Sequence, residues 1–272
     1  MQFVSFDVFR TLGFPDTTVL KPEHFLRHKA VLQEADWVLF PEYWQLNALV
    51  HGLKCRVFPS VASYRIGHDK VEMTRAFQAV VPEHTPWTRI EANGPQERDM
   101  IWDGMSLPFV AKLPKASMGE GVWLIETRAD WQAYCERTSV LYVQEYLPID
   151  RDVRVVVVGD RVLTAYWRTQ AEQGFYNNVA KGGRVVADAV PAAATELALR
   201  LARELGVDHA GFDIVMVEGY PYVLEFNRLF GNQGLARGAD LKEAILEYLQ
   251  RQSQPQGPNG PSDPGPLWPV AV

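Results

Sequence analysis

Cysteine is scarce in this 272-residue chain: Cys55 and Cys135 are the only two, and no CxxC spacing accompanies them. A disulfide framework and a thiol-based redox site are therefore not expected, and a reduced, cytosolic compartment is. Long apolar runs are missing. No stretch approaches the roughly 20 residues a membrane-spanning helix needs. The opening residues Met1–Asp7 lack the basic segment and long apolar run of a secretory leader. Runs of Lys and Arg are missing too. With 27 basic and 33 acidic residues and a formal charge of −6, the composition argues against general nucleic-acid binding. Several catalytic signatures are absent: HExxH, GxSxG, the phosphate loop GxxxxGK[ST] and the dinucleotide fingerprint GxGxxG. Of the six histidines, only His24 and His28 share an i, i+4 spacing, so surface or partly buried roles are expected. What is present is 47% hydrophobic residues, enough for one large core or two to three small ones.

The first 66 residues alternate short β-prone runs with helical ones. Residues 3–8, Trp37–Phe40 and Lys54–Phe58 read as strands, and residues 22–34 and 43–51 as helices. That alternation predicts a small α/β unit with a parallel sheet. Asp69 is placed to cap a helix through Met73 and Phe77 that ends near Pro82 and Pro86. The middle changes character. Phe109–Lys112, Val122–Ile125 and Leu141–Tyr146 read as strands, with a helix from Asp130 to about Arg137. Gly159-Asp160 suits a two-residue turn between Val153–Val158 and Arg161–Trp167. Leu197, Leu201 and Leu205 repeat every four residues, and Gly206 follows as a C-cap, predicting a helix from Ala192 to Leu205. A last helix is expected over about 241–250. Residues 251–272 are dense in Pro and Gly and are expected to form a flexible tail.

Three clusters carry candidate chemistry. In the first, two β-rich runs, Ala210–Val217 and Tyr222–Asn227, flank a Gly-containing turn. A three-residue loop Glu218-Gly219-Tyr220 sets Asp213 directly opposite Glu225. Like charges opposed across a hairpin destabilise it, so a compensating positive charge is expected, a divalent cation being the simplest. Asn227 points the same way as Glu225, and these are hard oxygen donors of the kind Mg²⁺ takes. The alternative is two acids on a solvated edge. In the second, Lys112 to Val122 includes Ser117, Gly119 and Gly121, whose small residues let a backbone approach an anion closely, with Lys112 and Lys115 adding charge. An ordinary hairpin turn with basic flanks is the alternative. In the third, Gln144-Glu145-Tyr146-Leu147 ends a strand, and Arg168, whose planar fork suits phosphate or carboxylate, ends another before Asn177-Asn178.

The order of these motifs resembles the ATP-grasp superfamily, and within it the RimK-type carboxylate–amine ligases, over about residues 66–250. The resemblance rests on Asp69-Lys70, Phe109-Val110-Ala111-Lys112, Ser117-x-Gly119-x-Gly121-Val122, Gln144-Glu145-Tyr146 and Asp152-Val153-Arg154-Val155 with Val158-Gly159-Asp160. It continues through Arg168, Phe175-x-x-Asn178, Gly182-Gly183, Ala210-Gly211-Phe212-Asp213 and Leu224-Glu225-Phe226-Asn227. It implies an ATP-grasp fold, two α+β lobes clasping ATP. The expected boundaries are an N-terminal α/β domain over 1–66, a central lobe over about 67–140, a C-terminal lobe over about 141–250 and the tail over 251–272.

The resemblance also implies roles. Lys112 and Lys70 are expected on the ATP phosphates, with Ser117, Gly119 and Gly121 in the covering loop and Asn178 nearby. Glu145, Tyr146 and Leu147 match the adenine hinge, and Asp152 the ribose-binding acid. Asp213, Glu225 and Asn227 match the ligands of two magnesium ions, for which manganese can substitute. Arg168 matches the arginine that steadies the transferring phosphoryl group. Relatives follow the Asn with a small residue and then Ser-Pro-Gly, whereas this chain has Arg228-Leu229-Phe230-Gly231. Arg228 is a candidate ligand for a substrate carboxylate, with a harmless loop variant as the alternative. The activity implied is ATP-dependent joining of an amine to a small-molecule or peptide carboxylate through an acyl-phosphate. A kinase on the same fold and a non-catalytic nucleotide-binding scaffold are the alternatives. Neither a nucleic acid nor a membrane is expected as a partner, and a homo-oligomer is compatible with the sequence.

Overall fold

A computed structural model of the chain describes residues 1–115, 121–169, 184–186, 188–231 and 240–254. Three sheets organise it. The first is parallel, in the order β2-β1-β3-β4, from β1 (Phe3–Ser5), β2 (Thr17–Val19), β3 (Trp37–Leu39) and β4 (Val57–Phe58). The parallel α/β unit expected of the first 66 residues is thus present, with β1, β3 and β4 buried and β2 an exposed edge. The expected helix over residues 22–34 is a 3₁₀ segment, Pro22–His28, followed by α1 (Lys29–Glu34). The one over 43–51 is a 3₁₀ turn, Tyr43–Gln45, and a wide turn, Ala48–Gly52. α2 (Val61–Ile66) and α3 (Lys70–Val80) follow. Asp69 caps α3 as expected, its carboxylate accepting from the Val71 N–H at 2.8 Å.

The second sheet is antiparallel, in the order β5-β8-β6-β7. Its strands are β5 (Thr88–Ala92), β6 (Phe109–Lys112), β7 (Val122–Ile125) and β8 (Val140–Glu145), with α4 (Pro95–Gly104) and α5 (Arg128–Cys135) alongside. β5 and α4 were not anticipated: β5 alternates too weakly between apolar and charged residues to stand out. β8 is a member of this sheet, so the boundary between central and C-terminal lobes falls after Glu145 rather than at 140. α3 also departs from the expected division. Its Met73 and Phe77 pack into the core of the next sheet, not this one.

The third sheet is antiparallel, in the order β11-β10-β9-β12-β13, from β9 (Arg151–Val158), β10 (Arg161–Thr169), β11 (Arg184–Val186), β12 (His209–Val217) and β13 (Tyr220–Asn227). Val153, Val155 and Val157 of β9 and Phe212 and Ile214 of β12 face α3 and α6 (Ala192–Leu205), meeting Leu197 and Leu201. Gly206 ends α6 in the left-handed region, φ 67°. The opposite face, by the two-residue alternation of a strand, carries Asp152, Arg154, Arg168 and Asp213. α7 (Leu241–Ser253) joins the first sheet to this one, Ile245 and Leu249 packing with Phe3, Leu39, Phe58 and Val158. The helix takes in Arg251–Ser253, which were expected to begin the tail; residues 255–272 lie outside the described residues.

Candidate active site

The site is built on the polar face of the third sheet. The β12–β13 turn is the two-residue Glu218-Gly219, with φ 50° and 83°. Positive φ at both central positions is what a type I′ hairpin turn requires. A straight ladder from that turn would pair Asp213 with Leu224. A register shift next to Asp213 instead pairs Ile214 with Val223 and Asp213 with Glu225. Leu224 is the extra residue of a β-bulge. It lets both Val223 and Phe226 reach the core, at 1% exposure each, while Glu225 and Asn227 turn to the polar face.

One row across the sheet reads Tyr166, Arg154, Asp213, Glu225, with Arg168 opposite Asp152 in the next. The pleat thereby makes the ion pairs. Arg154 donates from Nε to Asp213 Oδ1 at 2.5 Å and from a terminal nitrogen to Oδ2 at 3.2 Å. Arg168 donates to both oxygens of Asp152 at 2.7 Å and reaches Asp213 Oδ1 at 3.0 Å. All four side chains are buried. Burial works to push the Asp213 carboxyl up, but Arg154 and Arg168 outweigh it and hold it below the ordinary range. Burial raises Asp152 to about 6 against the pull of Arg168. Asp152, matched to the ribose-binding acid, lies in β9 with both oxygens accepting from Arg168.

Two lysines face this row. Lys112 ends β6 and is buried, its Nζ donating to Gln144 Oε1 at 2.7 Å. The Gln144 amide in turn donates to Thr88 at 3.0 Å, which fixes its orientation. Burial lowers the Lys112 ammonium to about 8; Glu225 counteracts this and Lys70 adds to it. Lys70, the first residue of α3, places Nζ 3.6 Å from Glu225 Oε2. Its backbone N–H donates to Pro114 O at 3.0 Å, tying α3 to the segment after β6. Asn227 donates to Glu225 Oε1 at 3.3 Å. Lys70, Lys112, Arg154 and Arg168 thus outnumber Asp152, Asp213 and Glu225. The repulsion between opposed carboxylates is offset by protein cations, and a metal is not needed for that purpose alone.

Glu225 has a side-chain exposure of 32%, and Glu225 and Asn227 present hard oxygens. Asp213 accepts three hydrogen bonds from arginines, leaving about one of its four lone-pair positions. A hydrated Mg²⁺ that takes one or two carboxylates and the rest from phosphates fits this set.

Leu113 N–H donates to Gly121 O at 2.7 Å, closing the base of the β6–β7 hairpin. Ser117 and Gly119 of the Gly-rich segment lie outside the described residues, as does Asn178. Glu145 ends β8, with Tyr146 and Leu147 leading from the second sheet into the third. The Glu145 carboxylate accepts from the Trp87 N–H at 2.7 Å, which orients it at that junction. Arg228, just past β13, places its guanidinium 4.2 Å from the Tyr64 ring centroid. Arg154 is the one central group given no role from sequence. Its signal was a third charge, after Arg151 and Asp152, in a strand whose other residues are all valine.

Lysines from the second sheet and from α3 thus meet carboxylates of the third sheet, the two sheets being joined in the chain after Glu145. The sequence profile of the RimK-like ATP-grasp domain matches residues 70–249. The chain belongs to this RimK-like ATP-grasp family and so to the ATP-dependent carboxylate–amine ligases. The "Probable alpha-L-glutamate ligase" of Citrobacter koseri is 30% identical over 217 residues, 74% of this chain and 72% of that one. The "Ribosomal protein bS6--L-glutamate ligase" of Escherichia fergusonii is 31% identical over 179 residues, 63% of this chain and 60% of that one. Among solved structures, a RimK domain ATP-grasp protein from Sphaerobacter thermophilus superposes with a TM-score of 0.68 at 18% identity, covering 91% of this chain and 99% of its own. The D-alanine–D-alanine ligase of Bacillus anthracis complexed with ATP gives 0.68 at 15% identity, covering 93% and 99%; at these identities the likeness is one of fold. Among the described residues no helix is long and apolar enough to cross a membrane.

Proposed function

We propose that the chain forms an amide or peptide bond between a carboxylate and an amino acid through an acyl-phosphate, using ATP with two magnesium ions. The observation that carries this reading is the convergence of Lys70, Lys112, Asp213 and Glu225 at the junction of two sheets. A carboxylate oxygen of the substrate takes the γ-phosphoryl group and ADP leaves. The amine nitrogen then attacks the acyl carbon and phosphate leaves. Phosphoryl transfer asks the protein for position and charge neutralisation more than covalent help, and this cluster supplies cations on a buried, preorganised frame. Lys112 and Lys70 bind the phosphates, beside Ser117, Gly119, Gly121 and Asn178. Glu145, Tyr146 and Leu147 hold the adenine.

Asp213, Glu225 and Asn227 would hold the magnesium ions, which would supply neutralisation of phosphate charge. Arg168 faces the transferring phosphoryl group. Asp152, matched to the ribose-binding acid, also holds Arg168 in place through two hydrogen bonds. The names of the relatives support an amino acid of the glutamate class as the amine, added to a free or protein-bound acid.

The decisive variant is Glu225→Gln, which keeps the shape and removes the charge. ADP release that depends on both substrates should fall to background; full turnover would refute the assignment. Product analysis adds a second check, since a ligase leaves an amide and a kinase a phosphorylated product.

A further inference from the structure

The two lysines that face the carboxylates come from different elements and repel one another. Lys112 ends β6 of the second sheet, whereas Lys70 opens α3, which packs on the third. Burial lowers the Lys112 ammonium, Glu225 counteracts this, and Lys70 lowers it further. A lysine is a point charge on a flexible four-carbon stem. Two of them keep a set spacing only if the groups around them impose it.

Tyr142 links the two. It lies in β8, which pairs with β6, and is 1% exposed. Lys112 Nζ lies over its ring, 5.8 Å from the centroid, within the range of a cation–π contact. Its hydroxyl bonds Thr74 Oγ1 at 2.7 Å. Thr74 is buried and stands one turn after Lys70, on the same side of α3. Burial pushes the Tyr142 phenol up to about 12; Thr74 opposes this and Glu225 adds to it. The phenol therefore keeps its proton at neutral pH and can both donate and accept.

Hydrogen bonds close the frame around this contact. Tyr142 and Gln144 share one side of β8. Gln144 Oε1 accepts from Lys112, and its amide donates to Thr88. The Thr88 hydroxyl gives its one proton to Pro86 O at 2.7 Å, so it can only accept from Gln144, and Gln144 turns its oxygen to the lysine. The Tyr134 hydroxyl donates to Lys112 O and accepts from the Tyr142 N–H, both at 2.9 Å, which clamps β6 to β8. A valine and a phenylalanine would fill the volume of Thr74 and Tyr142 without burying two hydroxyls. What the hydroxyls add is direction. Their 2.7 Å bond fixes α3 against β8, where an apolar contact permits sliding.

We infer that Tyr142 is a positioning residue: through its bond to Thr74 and its ring beneath Lys112, it sets the spacing of Lys70 and Lys112. This rests on the reading of the two lysines as phosphate ligands and adds the group that aligns them.

The test separates positioning from stability in the full chain. Tyr142→Phe keeps the ring and takes away a partner of the buried Thr74 hydroxyl, so the melting temperature should fall. Tyr142→Phe combined with Thr74→Val removes both hydroxyls and should recover most of that loss. If the bond only stabilises, nucleotide binding recovers with it. If Tyr142 positions the lysines, calorimetric affinity for the non-hydrolysable analogue AMPPNP with Mg²⁺ stays about tenfold weaker in both variants. Thr74→Ser, which keeps a hydroxyl, should bind as the parent does. A second readout needs no nucleotide: acetylation of Lys112 by acetic anhydride, read by peptide mass spectrometry, should be several-fold faster in the double variant, with the exposed Lys21 and Lys29 unchanged. Affinity equal to the parent's in the double variant overturns the inference, as does unchanged labelling of Lys112. If the double variant does not fold, Tyr142→Phe against Thr74→Ser decides on the same readouts. A parent chain that binds no AMPPNP refutes the ligase reading instead, and the labelling rates then decide the role of Tyr142.

Discussion

Asp213 lies directly opposite Glu225, and a β-bulge at Leu224 puts it there. A three-residue loop with a straight ladder predicts the same pairing from sequence, but the chain uses a two-residue turn and one extra strand residue. The difference has consequences for the faces. With the bulge, Val223 and Phe226, three positions apart, both reach the core, which a straight strand cannot arrange.

Removing the bulge should therefore be tolerated. Deleting Leu224 leaves a straight ladder from Glu218-Gly219, in which the glutamate that followed it still opposes Asp213. A folded deletion variant should keep its thermal stabilisation by ATP and Mg²⁺. Loss of that shift would mean the bulge, and not the pairing, sets the site.

Arg154 is expected to matter for stability before chemistry. Arg154→Leu removes a bidentate partner from a carboxylate with 9% side-chain exposure, and breaking a buried pair in this way costs about 3–5 kcal/mol. Replacing both partners, Arg154→Met with Asp213→Leu, should cost less than the single change. Denaturant midpoints of the two variants decide the point, and equal or reversed costs would argue that Arg168 alone neutralises Asp213.

Lys112 makes nucleotide binding sensitive to pH. Its ammonium, lowered to about 8 in the empty site, is favoured by bound phosphates, so binding takes up a proton near that pH. Affinity for ATP should be flat well below pH 8 and fall as the pH rises through it, by at most about tenfold per unit. Calorimetry at pH 8 in buffers of different ionisation enthalpy reads the proton directly. In Lys112→Met the affinity should be weaker throughout and the uptake absent.

Much of this site was legible because its residues interrupt local patterns. Asp213 and Glu225 break apolar strands, Gly206 stops a leucine-periodic helix, and the ordered motifs from Lys112 to Asn227 resemble one family. The parallel sheet of the first 66 residues and the β9–β10 hairpin were readable for the same reason: strand period and turn chemistry are local. β5 and α4 were not, since neither has strong periodicity and tertiary packing decides them.

The sequence by itself determined which chemical groups are available: hard oxygen donors, two lysines, arginines at strand ends, and Arg228 where relatives carry a small residue. Only the tertiary structure decided who neutralises whom. Arg154 and Asp213 are 59 residues apart, and their pairing exists because β9 lies between β10 and β12 in one register. Asp152 holds Arg168 for the same reason. Arg228, which follows β13, lies over Tyr64 of α2 only because the fold brings those distant segments together. Charge balance in a buried site depends on through-space distances, which strand order and register set and sequence spacing does not.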